Sequence, residues 1–252
     1  MTSAEFHAVL AKERPIEGAD LSRVDWTDAS CGDAHFIDCV IEDAQLKNAI
    51  FTGAKFLRCR FIGCRFAHAD FRGAIFEDCV FTNKAASTGS TFAFSELREA
   101  RITRCDLSFC HFDRCKLFAI EIDKCNLLGA RFNHADFSHS YGRKVAPSRA
   151  AMRRCNFDFA NLAGVRLLEC DLSGSSFREA DLTDADLTDA NLRDCDLEKC
   201  ELLRAKLADA DLRHAKIAGL NVLSLGSIKG LKVSQDQQWL LLAGMGIEVH
   251  PD

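Results

Sequence analysis

The sequence predicts a solenoid, and three observations predict it. From Leu21 an apolar residue recurs at every fifth position through Trp26, Cys31 and Phe36 to Phe81; the pattern resumes from Phe92 to Phe137 and from Met152 to Ile217, 37 units in all. Two residues before each central position the chain accepts almost only small side chains: 19 Ala, 12 Cys, 3 Ser, 2 Val and 1 Ile. The period itself excludes the simple elements. Five helical residues advance about 500°, which scatters the central side chains around a helix, and an odd period flips every second one across a strand. A chain that bends once per unit keeps all of them on a common axis.

The unit is plainest in Ala180-Asp181-Leu182-Thr183-Asp184 followed by Ala185-Asp186-Leu187-Thr188-Asp189. This pattern, covering about four fifths of the chain, closely resembles the pentapeptide-repeat family. The resemblance implies an all-β fold, a right-handed quadrilateral β-helix with four units per turn and short helical caps at both ends, in which residues 20 apart stack. At a strand spacing of roughly 4.8 Å the 37 units make about nine coils and a rod on the order of 45 Å long.

Three segments follow in chain order. Residues 1–18 read as an N-terminal cap: Thr2 and Glu5 have capping-box spacing, and Phe6, Val9 and Leu10 supply an apolar stripe. Residues 19–222 carry the repeats, interrupted near 82–91 and 138–151 by stretches rich in small, polar and turn-forming residues. Lys84 and Ser87 lie in the first loop, Tyr141, Arg143 and Lys144 in the second. Residues 223–252 read as a helix opened by Ser234 and Gln237 and stopped near Gly244 to Gly246, followed by a short strand at Ile247-Glu248-Val249. This tail is more apolar than capping requires. The resemblance implies a dimerisation tail using Trp239, Leu241, Leu242, Met245, Ile247 and Val249; plain capping is the alternative.

Twelve of the 13 Cys occupy the small site and Cys31 a central one, so they read as small reduced hydrophobes. Metal fingers need paired Cys at short spacing, not multiples of five along a rod. The repeat His residues, His35, His68, His111, His134, His139 and His214, fall on outward positions, and no nucleophile and base pair is evident. The sequence therefore predicts no enzyme, no metal site and no cofactor. With no basic leader and no run of 18 uncharged apolar residues, it predicts a cytoplasmic protein without a membrane span.

A net charge of −5 disfavours direct nucleic-acid binding. The charge is uneven: residues 84–150 sum to +4, residues 151–218 to −4. Stacking by 20 places Glu169, Asp189 and Asp209 in one column and Asp171, Asn191 and Asp211 in the next. Asp181, Asp184 and Asp186 belong to the densest acidic span, Glu179 to Glu198, where Arg193 is the one opposing cation in sequence. Like charges at about 4.8 Å repel, so such a ridge serves something other than stability. A rod with fixed negative ridges offers a basic groove something like a duplex. The loops, the tail and the ridge resemble the quinolone-resistance members of the family. That resemblance implies a dimeric DNA mimic that binds DNA gyrase or topoisomerase IV, inhibiting it or protecting it from poisons. The alternative is a scaffold or effector for some other protein partner, since fold does not fix function.

Overall fold

Residues 5–6, 14–141, 144–146, 149–248 and 250 are described by the computed structural model. One unit shows how five residues make one side of a square. In Arg131 to Ala135 the Ala135 N–H donates to the Phe132 carbonyl at 3.0 Å, closing a four-residue turn whose third residue, His134, has φ 55°. Positive φ at that place is the mark of a type II turn. Except at Asn83 and His139, where the two loops leave, the residue two after the central position takes this left-handed conformation all along the rod, from Asp28 to His214. Gly, Asn and Asp bear it most easily, as at Gly164 and Asn48.

Four such sides close each coil. Face 1 carries Ile16, Phe36, Phe56, Phe76, Ile102, Ile122 and Met152, paired in parallel register, and continues through Leu172, Leu192 and Leu212. Faces 2, 3 and 4 start at Leu21, Trp26 and Cys31. Nine coils are complete, and the repeat takes in Ile16, one unit before Leu21. Short strands on face 1, from Ile16–Glu17 to Ala151–Arg153, form a seven-stranded sheet, and single bridges join most other levels. The offset of 20 widens to 26 across the first loop and to 30 across the second. Both loops are antiparallel hairpins: Thr82–Asn83 pairs with Thr88–Gly89, and His139–Tyr141 with Lys144–Ala146.

The central residues fill the lumen. Phe36, Phe56 and Phe76 stack at 4.9 and 4.8 Å with ring planes 7° apart. Phe66, Phe92, Phe112 and Phe132 stack at 4.6, 5.0 and 4.9 Å, and rings on adjacent faces meet edge to face. Each buried Phe contributes about 2–3 kcal/mol of apolar transfer. After Phe177 the ladders are aliphatic.

The small site has a polar duty that explains why Cys and Ser share it with Ala. Ser90 Oγ donates to the Phe61 carbonyl at 2.7 Å, Ser175 Oγ to Met152 at 3.0 Å, and Cys195 Sγ to Leu172 at 3.2 Å. None of the 13 Cys forms a disulfide, and all but Cys200 are buried. Burial pushes the Cys64 and Cys195 thiols up to about 12, which keeps them protonated and unreactive.

Open coil ends expose carbonyls and N–H groups that need covering. Phe6 is buried and packs edge-on against Trp26 at 4.8 Å; Thr2, Val9 and Leu10 lie outside the described residues. At the other end Gln237 is buried. Its side-chain oxygen accepts from the Ser234 N–H at 2.7 Å, and its amide donates to the carbonyls of Leu212 and Ala215 at 2.9 and 2.7 Å. The helix Gln238–Gly244 follows. Ile247 and Glu248 form no strand, contrary to the sequence expectation, and Val249 lies outside the described residues. A strand needs a partner edge, and the described part of this chain offers none there.

Candidate interaction surfaces

Glu169, Asp189 and Asp209 stack as expected: the Glu169 N–H donates to the Thr188 carbonyl and the Asp189 N–H to Ala208. Each sits in the left-handed position, with φ 56–57°, at the corner between faces 4 and 1. None has an ion-pair partner among the described residues. The adjoining column, Asp171, Asn191 and Asp211, is bridged in register, but its carboxylates are neutralised. Arg153 holds Asp171, and Arg213 holds Asp211 at 2.6 Å. Burial acts to raise the Asp171 pKa, yet hydrogen bonds from Arg153 and Ser173 bring it below the usual carboxylate range.

Arg193 is therefore not the only cation facing the acidic span. The next coil supplies the opposite charges: Arg204 meets Asp184 at 2.6 Å, Lys206 meets Asp186 at 3.4 Å, Lys216 meets Asp196 at 3.0 Å, and Lys199 meets Glu179 at 3.8 Å. Arg204 lowers the Asp184 pKa. The five-carboxylate corner is thus a narrow line of three, Glu169, Asp189 and Asp209. Asp181 stands on the opposite corner, bridged to Glu201, without an ion pair among the described residues.

The loops leave from diagonally opposed corners. The first departs after Phe81 on face 2. Lys84 pairs there with Asp106 at 3.0 Å, and Ser87 closes the hairpin turn with φ 51°. The second departs after Phe137 on face 4 and returns at Met152 on face 1, at the same corner that bears Glu169, Asp189 and Asp209 one coil onward. Tyr141 and Lys144 lie on its two strands; Arg143 lies outside the described residues. At the C-terminal end Trp239 is 61% exposed, Met245 and Ile247 are exposed too, and Leu223 is more exposed still. Leu241 packs on the core and Leu242 is half-buried.

Sequence reasoning missed three phenylalanines, two of them exposed and Phe109 half-buried. Bulky Phe94, Phe109 and Phe159 occupy left-handed positions at φ 58–59°, and Phe94 and Phe159 are 51% and 59% exposed. The signal was present: Phe stands two after a central position at these three sites and nowhere else in the repeats. Among the described residues no group of three or more His, Cys, Asp or Glu could hold a metal ion, and no helix is long and apolar enough to cross a membrane.

Comparison with known proteins agrees with this architecture. Family models match residues 150–225 as a pentapeptide repeat region, 41–85 as nine repeat copies and 17–53 as eight. No curated protein matches the sequence. Among solved structures, full-length QnrB1, a plasmid-mediated fluoroquinolone resistance protein, superposes with a TM-score of 0.77 at 23% identity, over 93% of this chain and 100% of that one. A trypsin-treated form of QnrB1 gives 0.70 at 23% identity, over 94% and 97%. With its repeats matched from residue 17 to 85 and from 150 to 225, and with its square coil, the chain belongs to the pentapeptide-repeat family.

Proposed function

We propose that this protein is a non-catalytic binding rod for a type II topoisomerase, DNA gyrase or topoisomerase IV, and that it confers tolerance to a gyrase poison such as a fluoroquinolone. The observation that carries the reading is the unpaired acidic line Glu169, Asp189 and Asp209, running on from the second hairpin along one corner. On a rod whose other C-terminal carboxylates are mostly paired, three carboxylates at about 4.8 Å spacing offer a basic groove a row of fixed negative charge, the electrostatic feature of a duplex strand. The fold likeness to QnrB1, a fluoroquinolone resistance protein, supports the choice of partner. Exposed Trp239, Met245 and Ile247 serve a homodimer joined end to end at the C-terminus, which doubles the length of the line. The protein works in the cytoplasm, where the topoisomerase is, and does not itself bind nucleic acid.

A second reading, a scaffold for another protein, is favoured by the ion pairs on Asp171, Asp184, Asp186, Asp196 and Asp211, which leave much of the surface mixed. Binding to immobilised gyrase separates the two. Topoisomerase binding weakens about tenfold or more in the Asp189→Lys, Asp209→Lys variant and is displaced by duplex DNA. Equal binding by that variant, or no binding at all, favours the scaffold.

A further inference from the structure

Away from the acidic corner, face 3 between the coils of Phe66 and Phe132 has the opposite character. Of its outward residues, Arg65, Arg114 and Arg131 are cationic and Asp113 is the one acid; Asp113 already accepts from Asn133 at 2.8 Å. Arg65 and Arg131 have no ion pair among the described residues, whereas Arg58, Arg72, Arg98, Arg104, Arg204 and Arg213 elsewhere on the rod each hold a carboxylate. Asp70 and Glu96 on the adjoining corner are engaged by Arg72 at 2.6 Å and Arg98 at 2.7 Å, so they do not cancel the patch.

At the corner between this face and face 4 stands Phe94, half-exposed and in the left-handed conformation. His68 stacks on one side of its ring at 5.0 Å and 15°, and the Arg114 guanidinium lies 5.7 Å from its centroid, a cation–π arrangement. The same column holds Asn48 and Gly164, residues that take this backbone at little strain. Stability alone does not call for a strained, half-exposed aromatic beside an arginine that holds no carboxylate among the described residues.

We propose that this face is a second docking surface, for a short acidic segment of a partner protein laid along the rod with carboxylates on Arg65, Arg114 and Arg131 and an apolar side chain on Phe94. The charge pattern chooses the occupant. Three coil spacings make a patch about 14 Å long, room for about four or five extended residues. Asn161 and Gly164 follow it, and then Asp181 and Glu201 on the same face, neither of them in an ion pair among the described residues. A continuous phosphate backbone running along the rod meets those acids within a few Debye lengths of about 8 Å, while a short acidic peptide ends before them.

The test is fluorescence anisotropy at low salt with two labelled probes, the peptide Glu-Glu-Phe-Glu-Glu and a single-stranded oligothymidylate, independent of any topoisomerase. The peptide binds saturably, and Arg114→Glu weakens it by about tenfold or more. Phe94→Asn, which suits the left-handed backbone and keeps the fold, also weakens it. Arg193→Glu, the same charge change on face 1, leaves it within about twofold. Tighter binding of the oligothymidylate, equal loss in Arg193→Glu, or no peptide binding by a protein that melts as the wild type does would each overturn the proposal.

Discussion

Replacing Phe66 by Ala probes the aromatic ladder at its densest point. Phe66 is fully buried, stacks on Phe92 at 4.6 Å, and meets Phe61 and Phe71 edge to face at 5.7 and 5.4 Å. The surrounding coils are held by hydrogen bonds such as Phe66 N–H to the Thr91 carbonyl at 2.7 Å, so the walls cannot collapse into the space left behind. Deleting a ring in a core that does not relax costs about 3–5 kcal/mol, of which each lost aromatic contact accounts for about 0.5–1.5 kcal/mol. Because coils touch only their neighbours, the weak level also divides the rod into two poorly coupled parts. Equilibrium urea unfolding followed by circular dichroism should show a loss of about 4 kcal/mol and a broader transition. Arg65→Ala, one position away on the outside, should change stability by no more than about 0.5 kcal/mol. A loss for Phe66→Ala below about 1.5 kcal/mol would refute a rigid, continuously stacked lumen.

Other consequences are equally direct. Phe159→Asn relieves a bulky residue at φ 59° that buries little; it should leave stability unchanged or raise it by up to about 1 kcal/mol in a thermal melt. Cys59→Ser should cost no more than about 1 kcal/mol, since a hydroxyl at this site can donate to the Phe36 carbonyl as the thiol does, whereas Cys59→Leu overpacks the corner and should cost about 1–3 kcal/mol. Arg204 depresses the Asp184 pKa, so their contribution is present above the unfolded value of about 3.9 and lost as pH falls below it. Arg204→Met should remove that part of the acid dependence in stability measured from pH 6 to pH 2. Gly230→Ala should destabilise the last coil in the same melt, because a Cβ there meets the Asp209 carboxylate oxygen at 2.1 Å and φ is +74°.

The five-residue period made the solenoid legible because every central side chain shares one environment: a lumen that accepts only large apolar groups. Cys39 or Cys195 read correctly as interior for the same reason, since each shares its site with Ala. The ridge at Glu169, Asp189 and Asp209 was legible through the 20-residue offset. The same offset links Asp184 to Arg204, Asp186 to Lys206 and Asp196 to Lys216, so the neutralisation was readable from the sequence as well. Counting charge along the chain hides it, because partners that touch in space are a full coil apart in sequence. The left-handed column was harder to read, since Phe, Arg and Glu tolerate it when the coil above and below hold the backbone. The missing strand at Ile247 and Glu248 shows the limit of a period-two pattern, which says nothing about whether an edge is there to pair with.

Supercoiling of relaxed plasmid by gyrase, with cleaved complex scored in the presence of a fluoroquinolone, tests the central claim most directly. Titrated protein should inhibit supercoiling or reduce drug-induced cleavage, and reversing charge at Asp189 and Asp209 should abolish the effect while thermal stability is kept. No effect on either readout at a large molar excess over gyrase, or full activity in the charge-reversed variant, would contradict the account.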